Sequence, residues 1–465
     1  MYKTIRTVAC AVSGGVDSAV SAYLLKKNGF EVKGVFMKNW DQLDEGAQCS
    51  TDVDRQDAQY VCEKLDIPFY ELNFFREYWN YVFIPLLKSY QCGATPNPDV
   101  LCNRFVKFNL LTKSVLRHSS GNSDESASSH YHCINADAVA TGHYCQNSFG
   151  NFLEKRSNNE GRLLRSVDPV KDQTFWLSTI SHKELELCMF PVGGLLKTTV
   201  KEIARQIGLT STASRRESMG MCFIGKRRFT DFIDSYIEPK PGLFKELGSG
   251  VVLDEHRGIH HFTLGQRANI TRVNGPFYVS QMNYPSQDVY VVKNPNHPSL
   301  FMRKCWTGPA VWINSSPPTL PSRRIQFQWQ NKWRAVGCTI KPHNSLEEAA
   351  NDAQSVVCRG GYRSCGSEIL STIDSEIESQ RTLGSYLSIE LDEPMRCVAA
   401  GQWVALYDGD CCLGGAMICG SVSLWDEGHD SPYMNWVYSN YELHYPESTC
   451  KKAKQSNSRD DFSVG

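Results

Sequence analysis

From Thr7 to about residue 225, short apolar runs alternate with stretches whose apolar residues recur at helical spacing. Thr7 to Val12 is a compact apolar run that breaks into Ser13-Gly14-Gly15, and Ala19 to Lys27 follows with a helical pattern. Glu31 to Lys38 is β-rich, and Asp52 to Leu65 places Val53, Val61 and Leu65 on one helical face behind an acidic first turn. Pro68 to Phe74 predicts a strand, Arg76 to Tyr90 a helix, Asn103 to Leu116 a helix, and Ala136 to Thr141 a short strand. Strands alternating with helices predict an α/β, Rossmann-like, mainly parallel sheet with both faces covered. Ligands then sit at the carboxyl ends of its strands.

Beyond residue 228 the pattern changes. Phe229 to Met302 carries Pro and Gly punctuation with short strand signals, and predicts a small central domain. From Arg303 to about Trp425, β-type runs are separated by turns. Asp408-Gly409 between the apolar runs Gln402–Tyr407 and Cys411–Ile418 predicts a hairpin. A C-terminal β-barrel-like domain fits this region. The expected divisions are therefore 1–228, 229–302 and 303–430, with 431–465 a disordered tail. Two further polar stretches, Ser119 to Ser129 and Asn344 to Arg381, read as a flexible insertion and a long loop.

Composition narrows the class. A chain of 465 residues, 41% hydrophobic and 21% charged, is long enough for two or three domains of a globular protein. No uncharged apolar stretch approaches the roughly 20 residues of a membrane span, so no membrane partner is expected. The 49 basic and 50 acidic residues nearly cancel, so any nucleic acid must be held by local patches. Eighteen cysteines are scattered without a repeating spacing and without a Cys-x-x-Cys pair. That favours reduced thiols over a disulfide scaffold or a structural zinc site.

The turn after Val12 is the first chemical signal. A strand that breaks into a Ser/Gly turn at a helix N-terminus gathers backbone N–H groups around an anion. Ser13 and Ser18 add hydroxyls, and Asp17 could hold Mg²⁺ against phosphate oxygens. No Gly-Lys-Ser/Thr follows, which excludes the usual P-loop. Ser13-Gly14-Gly15-Val16-Asp17-Ser18 resembles instead the pyrophosphate loop of ATP pyrophosphatases, which adenylate an acceptor.

Two cysteines lie in unusual loops. Cys102 ends Pro96-Asn97-Pro98-Asp99-Val100-Leu101, where prolines stiffen the chain and Asp99 sits a few residues from the thiol. The pattern places Cys102 at the start of the helix Asn103–Leu116, where the dipole favours thiolate, with Lys107 on the same helix. Cys222 lies between Arg215-Arg216 and Lys226-Arg227-Arg228, five basic residues broken by one acid, Glu217. Such a field would stabilise a thiolate or track a phosphate backbone. Between these loops, Gly142 and His143 end a strand, and Lys171-Asp172-Gln173 leads into an aromatic segment with Asp172 near a helix N-cap.

The motifs occur in an order that resembles one family. Ser13 to Ser18, Gly34-Val35-Phe36-Met37-Lys38-Asn39-Trp40, Pro96 to Asn103, Ala140-Thr141-Gly142-His143-Tyr144, Lys171 to Gln173 and Gly220-Met221-Cys222-Phe223-Ile224-Gly225 are similar to those of tRNA-specific 2-thiouridylases. Ser218-Met219-Gly220-Met221-Cys222 resembles the animal mitochondrial branch. The resemblance implies a mitochondrial enzyme in which ATP lies over Ala11, Val12, Ser13, Gly14, Gly15, Val16, Asp17 and Ser18, with Met37 and Gly142 near the adenosine. It implies Mg²⁺ as cofactor and nothing permanently bound. It implies a tRNA partner whose wobble uridine, in the anticodon loop, is flipped out and adenylated at its C2 oxygen.

Cys222 matches the family's persulfide carrier, loaded by an upstream donor, and Cys102 its nucleophile, the two closing a transient disulfide. Asp99 would act beside the base, which Asn97, Pro98 and Asp99 contact. His143, Lys171, Asp172, Gln173, Gln326, Phe327 and Gln402 match tRNA-contacting positions. Gln326-Phe327 departs from an Arg-Tyr pattern, and Ala400 stands where Pro is usual. An amidoligase-type synthetase with the same adenylating loop, or an RNA-binding relic without activity, are the alternative readings.

Overall fold

A computed structural model describes residues 4–40, 50–116, 134–156, 160–215, 228–314, 317–318, 325–354 and 384–434. Cys222 with Arg216, Lys226 and Arg227, the Ser119–Ser129 run, most of Asn344–Arg381 and the tail after Pro446 lie outside the described residues, whereas Arg215 is described and pairs with Asp54 and Asp57.

The N-terminal sheet consists of β1 (Thr7–Ala11), β2 (Glu31–Lys38), β3 (Phe69–Asn73), β4 (Ala138–Ala140) and β5 (Cys188–Met189), in the order β3-β2-β1-β4-β5. All its ladders are parallel. Val8, Ala9 and Cys10 are fully buried in succession, as expected of a strand covered on both faces. Helix α1 (Val16–Lys27) buries seven of its twelve residues, so small side chains (Ser18, Ala19, Ser21, Ala22) dominate its packed faces. The strand order reverses between β1 and β4, which opens a crevice at their carboxyl ends.

Two helical segments depart from simple α geometry. Phe75–Gln91 passes through a π-helical stretch at Trp79–Phe83. The second segment begins at Pro98, widens into a π-helix over Cys102–Leu110 and ends at Val115. It therefore starts five residues earlier than the expected Asn103. Proline at the first helical position brings a preset φ and lacks only an N–H that the helix would leave unpaired. Cys102 consequently lies in the second turn, past the strongest part of the dipole's field.

The central region is a five-stranded sheet built from Gly242–Glu246, Val252–His256, Arg267–Ala268, Phe277–Asn283 and Asp288–Val292. The C-terminal region closes on itself. Strands Phe301–Pro309, Tyr386–Arg396, Val336–His343, Gln326–Gln328, Trp403–Asp408 and Cys411–Ser423 pair antiparallel in that order, and the last pairs back to the first. This six-stranded barrel encloses Phe327, Ile389, Leu391, Val404, Leu406 and Ile418. The polar stretch expected to be a loop from Asn344 contains a helix, Leu346–Ala353, capped by the Ser345 side chain on the Glu348 N–H. Ser-x-x-Glu before apolar positions is the signal for such a start.

Candidate active site

The Ser/Gly turn sits at the mouth of the crevice. Gly14 has φ of +76°, and a Cβ there would lie 2.8 Å from the Asp54 carbonyl oxygen and from Asp57 Cβ. Only glycine suits both demands. Ser18 closes the loop on itself: its hydroxyl accepts the Ser13 N–H at 3.1 Å and donates to the Gly15 carbonyl at 3.0 Å. Ser13 is the exposed hydroxyl of the pair.

Asp17 has partners that the sequence did not suggest. Lys197 Nζ donates to both its carboxylate oxygens at 2.7 Å, and the Tyr144 hydroxyl donates to Oδ1 at 2.8 Å. The Lys197 side chain is only 9% exposed. It occupies the first position of helix α2 (Lys197–Gln206), where a cation opposes the helix dipole and needs an acid nearby. That misplaced charge was the available signal. Asp168 fixes this start, accepting the Lys197 N–H at 2.9 Å and the Val170 N–H at 3.0 Å. With an ammonium on both Asp17 oxygens, the residues fit a buried cation of the protein better than a direct Mg²⁺ ligand.

Gly142 brings β4 against the loop. A Cβ there would lie 2.7 Å from the Ser18 nitrogen and 2.8 Å from the Asp17 carbonyl carbon, backbone atoms that cannot swing aside. Gly142→Ala is expected to push α1 off β4. Loss of roughly 1–3 kcal/mol of stability would accompany weaker nucleotide binding, measured by denaturation and ATP titration. Gln173 steadies the same turn: its side-chain oxygen accepts the Tyr144 N–H at 2.9 Å, and its own N–H donates to the Tyr144 carbonyl at 2.8 Å. Gln173, Tyr144, Asp17 and Lys197 thus form one hydrogen-bonded run beneath the loop.

His143 faces the Cys102 helix, with its ring 5.5 Å from Phe108 and Nδ1 paired with the Thr141 hydroxyl at 2.8 Å. Burial, then the Lys107 ammonium, pushes its pKa down to about 3. His143 is therefore neutral between pH 5 and 8, and the pH–rate profile of His143→Gln is expected to run parallel to that of the parent. Burial pushes the Asp99 carboxyl up, and Lys107 only partly offsets this. Lys107 thus acts electrostatically on both groups. Cys102 is buried one turn from Asp99 on the same helix. Met37 is half-buried near the end of β2, and Pro98 is buried at the helix start.

The barrel reaches this helix through Gln402. Its side-chain nitrogen donates to the Thr95 carbonyl at 3.0 Å, and its oxygen faces Asn97 Nδ2 at 3.5 Å. Gly401, at φ +89°, permits the approach, since a Cβ would meet the Thr95 carbonyl at 3.0 Å.

Other expected tRNA contacts lie elsewhere. Phe327 is fully buried inside the barrel, while Gln326 is half-buried on the same strand. Asp172 stands beside a helix N-cap, directly before Gln173, which caps the short helix Thr174–Leu177. It is buried, paired with Arg165 at 3.0 Å and accepting the Thr174 hydroxyl at 2.7 Å. Arg165 also lies 3.8 Å over the Tyr407 ring and donates to Gln328 at 2.9 Å, which joins the N-terminal domain to the barrel. Asp172→Ala is expected to cost about 3–5 kcal/mol by leaving Arg165 uncompensated, read as a lower denaturation midpoint. Lys171 is half-buried in the turn that Asp168 holds.

Residues 6–226 match the tRNA methyl transferase HUP domain, 230–293 the tRNA methyl transferase PRC-barrel domain, and 373–418 the aminomethyltransferase beta-barrel domain. The chain is 39% identical over 421 residues to mitochondrial tRNA-specific 2-thiouridylase 1 of Drosophila melanogaster, covering 89% of this chain and 94% of that protein. It is 36% identical over 438 residues to the Homo sapiens protein of the same name, covering 90% and 91%. It is 35% identical over 416 residues to tRNA-specific 2-thiouridylase MnmA of Alkaliphilus oremlandii, covering 88% and 96%.

Proposed function

The chain belongs to the tRNA-specific 2-thiouridylase family, and from that premise we propose how its residues divide the work. The protein is a tRNA 2-thiouridylase, an ATP-using sulfurtransferase acting on tRNA. In our reading the β- and γ-phosphates of ATP occupy the Ser13–Ser18 turn, with Lys197 facing them and Asp17 and Tyr144 fixing its position. Met37 and Gly142 border the adenosine. Mg²⁺ would arrive on the phosphates and offset their charge.

The C2 oxygen of a flipped wobble uridine attacks the α-phosphorus, and pyrophosphate leaves. Asn97 and Asp99 face the base. Burial raises the Asp99 carboxyl, which strengthens it as a proton acceptor beside the base. The terminal sulfur of a Cys222 persulfide then attacks C2, and AMP leaves. Cys102 thiolate attacks the Cys222 sulfur, the S–S bond to the transferred atom breaks, and 2-thiouridine is released with a Cys102–Cys222 disulfide. A dithiol reductant must reopen that disulfide before the next turnover. The relatives' names support a mitochondrial location, where fractionation of cells should find the protein.

One observation carries this reading. Gly142 touches the nucleotide turn while the adjacent His143 touches the Cys102 helix, so the adenylating and thiol halves share one strand end. Incubation with ATP, Mg²⁺, a persulfide source and tRNA, followed by nucleoside mass spectrometry, should yield 2-thiouridine with stoichiometric AMP and pyrophosphate. An amidoligase-type enzyme would instead consume ATP with a small acid and ignore tRNA.

A further inference from the structure

Asp234, His260 and His261 converge where the end of the helix Phe229–Ile233 meets the turn Ile259–His261, and none of them takes part in the reaction above. We propose that these three side chains form a binding site for a divalent transition metal of the zinc class. Their ligand atoms all lie within 4.8 Å of one another. Both imidazoles aim the same atom, Nε2, at a single oxygen, Asp234 Oδ1, at 2.8 and 2.7 Å. Neighbouring residues on a tight turn normally send their side chains apart. Here the rings of His260 and His261 stand 4.2 Å apart and nearly edge to face, which directs both nitrogens to one point. Gly258 makes room for this, because a Cβ there would lie 2.4 Å from the His260 ring.

The donor set selects the ion. Two imidazole nitrogens and one carboxylate oxygen suit Zn²⁺, Co²⁺ or Fe²⁺, whereas Mg²⁺ and Ca²⁺ prefer oxygen throughout. Zinc bonds of about 2.0–2.1 Å in a tetrahedron hold ligand atoms roughly 3.3 Å apart, so each contact must open by roughly half an ångström. Each neutral imidazole supplies its Nε2 lone pair by carrying its proton on Nδ1 instead, with no net proton release. The side chains of His260 and His261 are 3% and 14% exposed and that of Asp234 is 32% exposed. The carboxylate edge is therefore the entry path, and water would take the fourth position.

The location gives the metal a role. Asp234 follows the helix Phe229–Ile233, the first described element after the residues that include Cys222. Phe232 and Tyr236, on either side of Asp234, pack on Phe83 of the N-terminal domain at 6.0 and 4.9 Å. The histidines belong to the turn Ile259–His261, whose Ile259 would lie 3.1 Å from a Cβ at Gly93. A metal here would pin the strand end of the central domain to the segment that leaves the sulfur-carrier loop.

The test uses the full chain, stripped with chelator, reduced, and dialysed against Co²⁺. One Co²⁺ per chain is expected, with visible d–d bands and without the near-ultraviolet charge transfer that a thiolate ligand gives. That spectral distinction is needed because eighteen cysteines compete for metal. Zn²⁺ should displace the Co²⁺ and raise the thermal midpoint. Asp234→Asn and His261→Asn, both on the accessible side, should each weaken Co²⁺ binding at least tenfold. No bound Co²⁺ at about 100 µM, a thiolate spectrum, or binding unchanged in both variants would overturn the site. Should either variant fold poorly, the stoichiometry and spectrum of the parent protein decide the matter alone.

Discussion

Lys197→Ala is expected to lower tRNA-dependent pyrophosphate release by about 10²–10³-fold, the usual loss when a preorganised charge at a reacting centre is removed. Two effects add. The polyphosphate loses a cation held by the Asp17 carboxylate at 2.7 Å on both oxygens, and among the described residues Asp17 keeps the Tyr144 hydroxyl. An uncompensated carboxylate beneath a phosphate turn repels the ligand it was built to seat. The two contributions separate in a double-mutant cycle. If repulsion dominates, adding Asp17→Asn to Lys197→Ala restores part of the rate. If the missing ammonium dominates, the double variant stays as slow as the single one. Lys197→Arg keeps the charge but not the compact point geometry, so partial activity is expected. Release within threefold of the parent, in a variant with unchanged circular dichroism, would exclude Lys197 from the nucleotide site.

The elements that carry this site differ in how legible they were. Val8 to Cys10 and Val35-Phe36 announced buried parallel strands, and Ser13 to Ser18 announced the turn, because local backbone demands choose those residue types. The start of the Cys102 helix was misplaced because Pro96 and Pro98 both read as breakers, although Pro98 is an initiator. Lys197 carries no local signature of its role, because its meaning depends on a carboxylate 180 residues away. The resemblance matches Asp172 and Phe327 to tRNA-contacting positions, and nothing local signals that Asp172 joins a buried ion pair or that Phe327 fills the barrel core. Pairing across domains, as between Gln402 and Thr95, leaves no periodic trace in one chain. Local chemistry is therefore readable where it constrains its own neighbours, and opaque where a distant partner supplies the charge or the packing.

Cys102→Ser is expected to separate adenylation from sulfur transfer. Serine nearly preserves the volume and fits the second turn of the helix, so the fold and the first half-reaction should survive. Pyrophosphate release with tRNA should stay within a few-fold of the parent for a single turnover, because adenylation uses the turn, Lys197 and the base, not the thiol. Formation of 2-thiouridine should fall by about 10³-fold or more, the scale seen when a nucleophile is removed and binding remains. An alkoxide cannot form the disulfide that frees the transferred sulfur, so the tRNA should accumulate joined to the protein through Cys222. That adduct, cleaved by dithiol and visible as a shifted band on a non-reducing gel, distinguishes a lost nucleophile from a merely disturbed helix. A disturbed helix would slow both half-reactions together and leave no adduct. Full thiolation by Cys102→Ser would remove Cys102 from the chemistry altogether, and the buried thiol would then be only a packing residue beside Val100 and Val106.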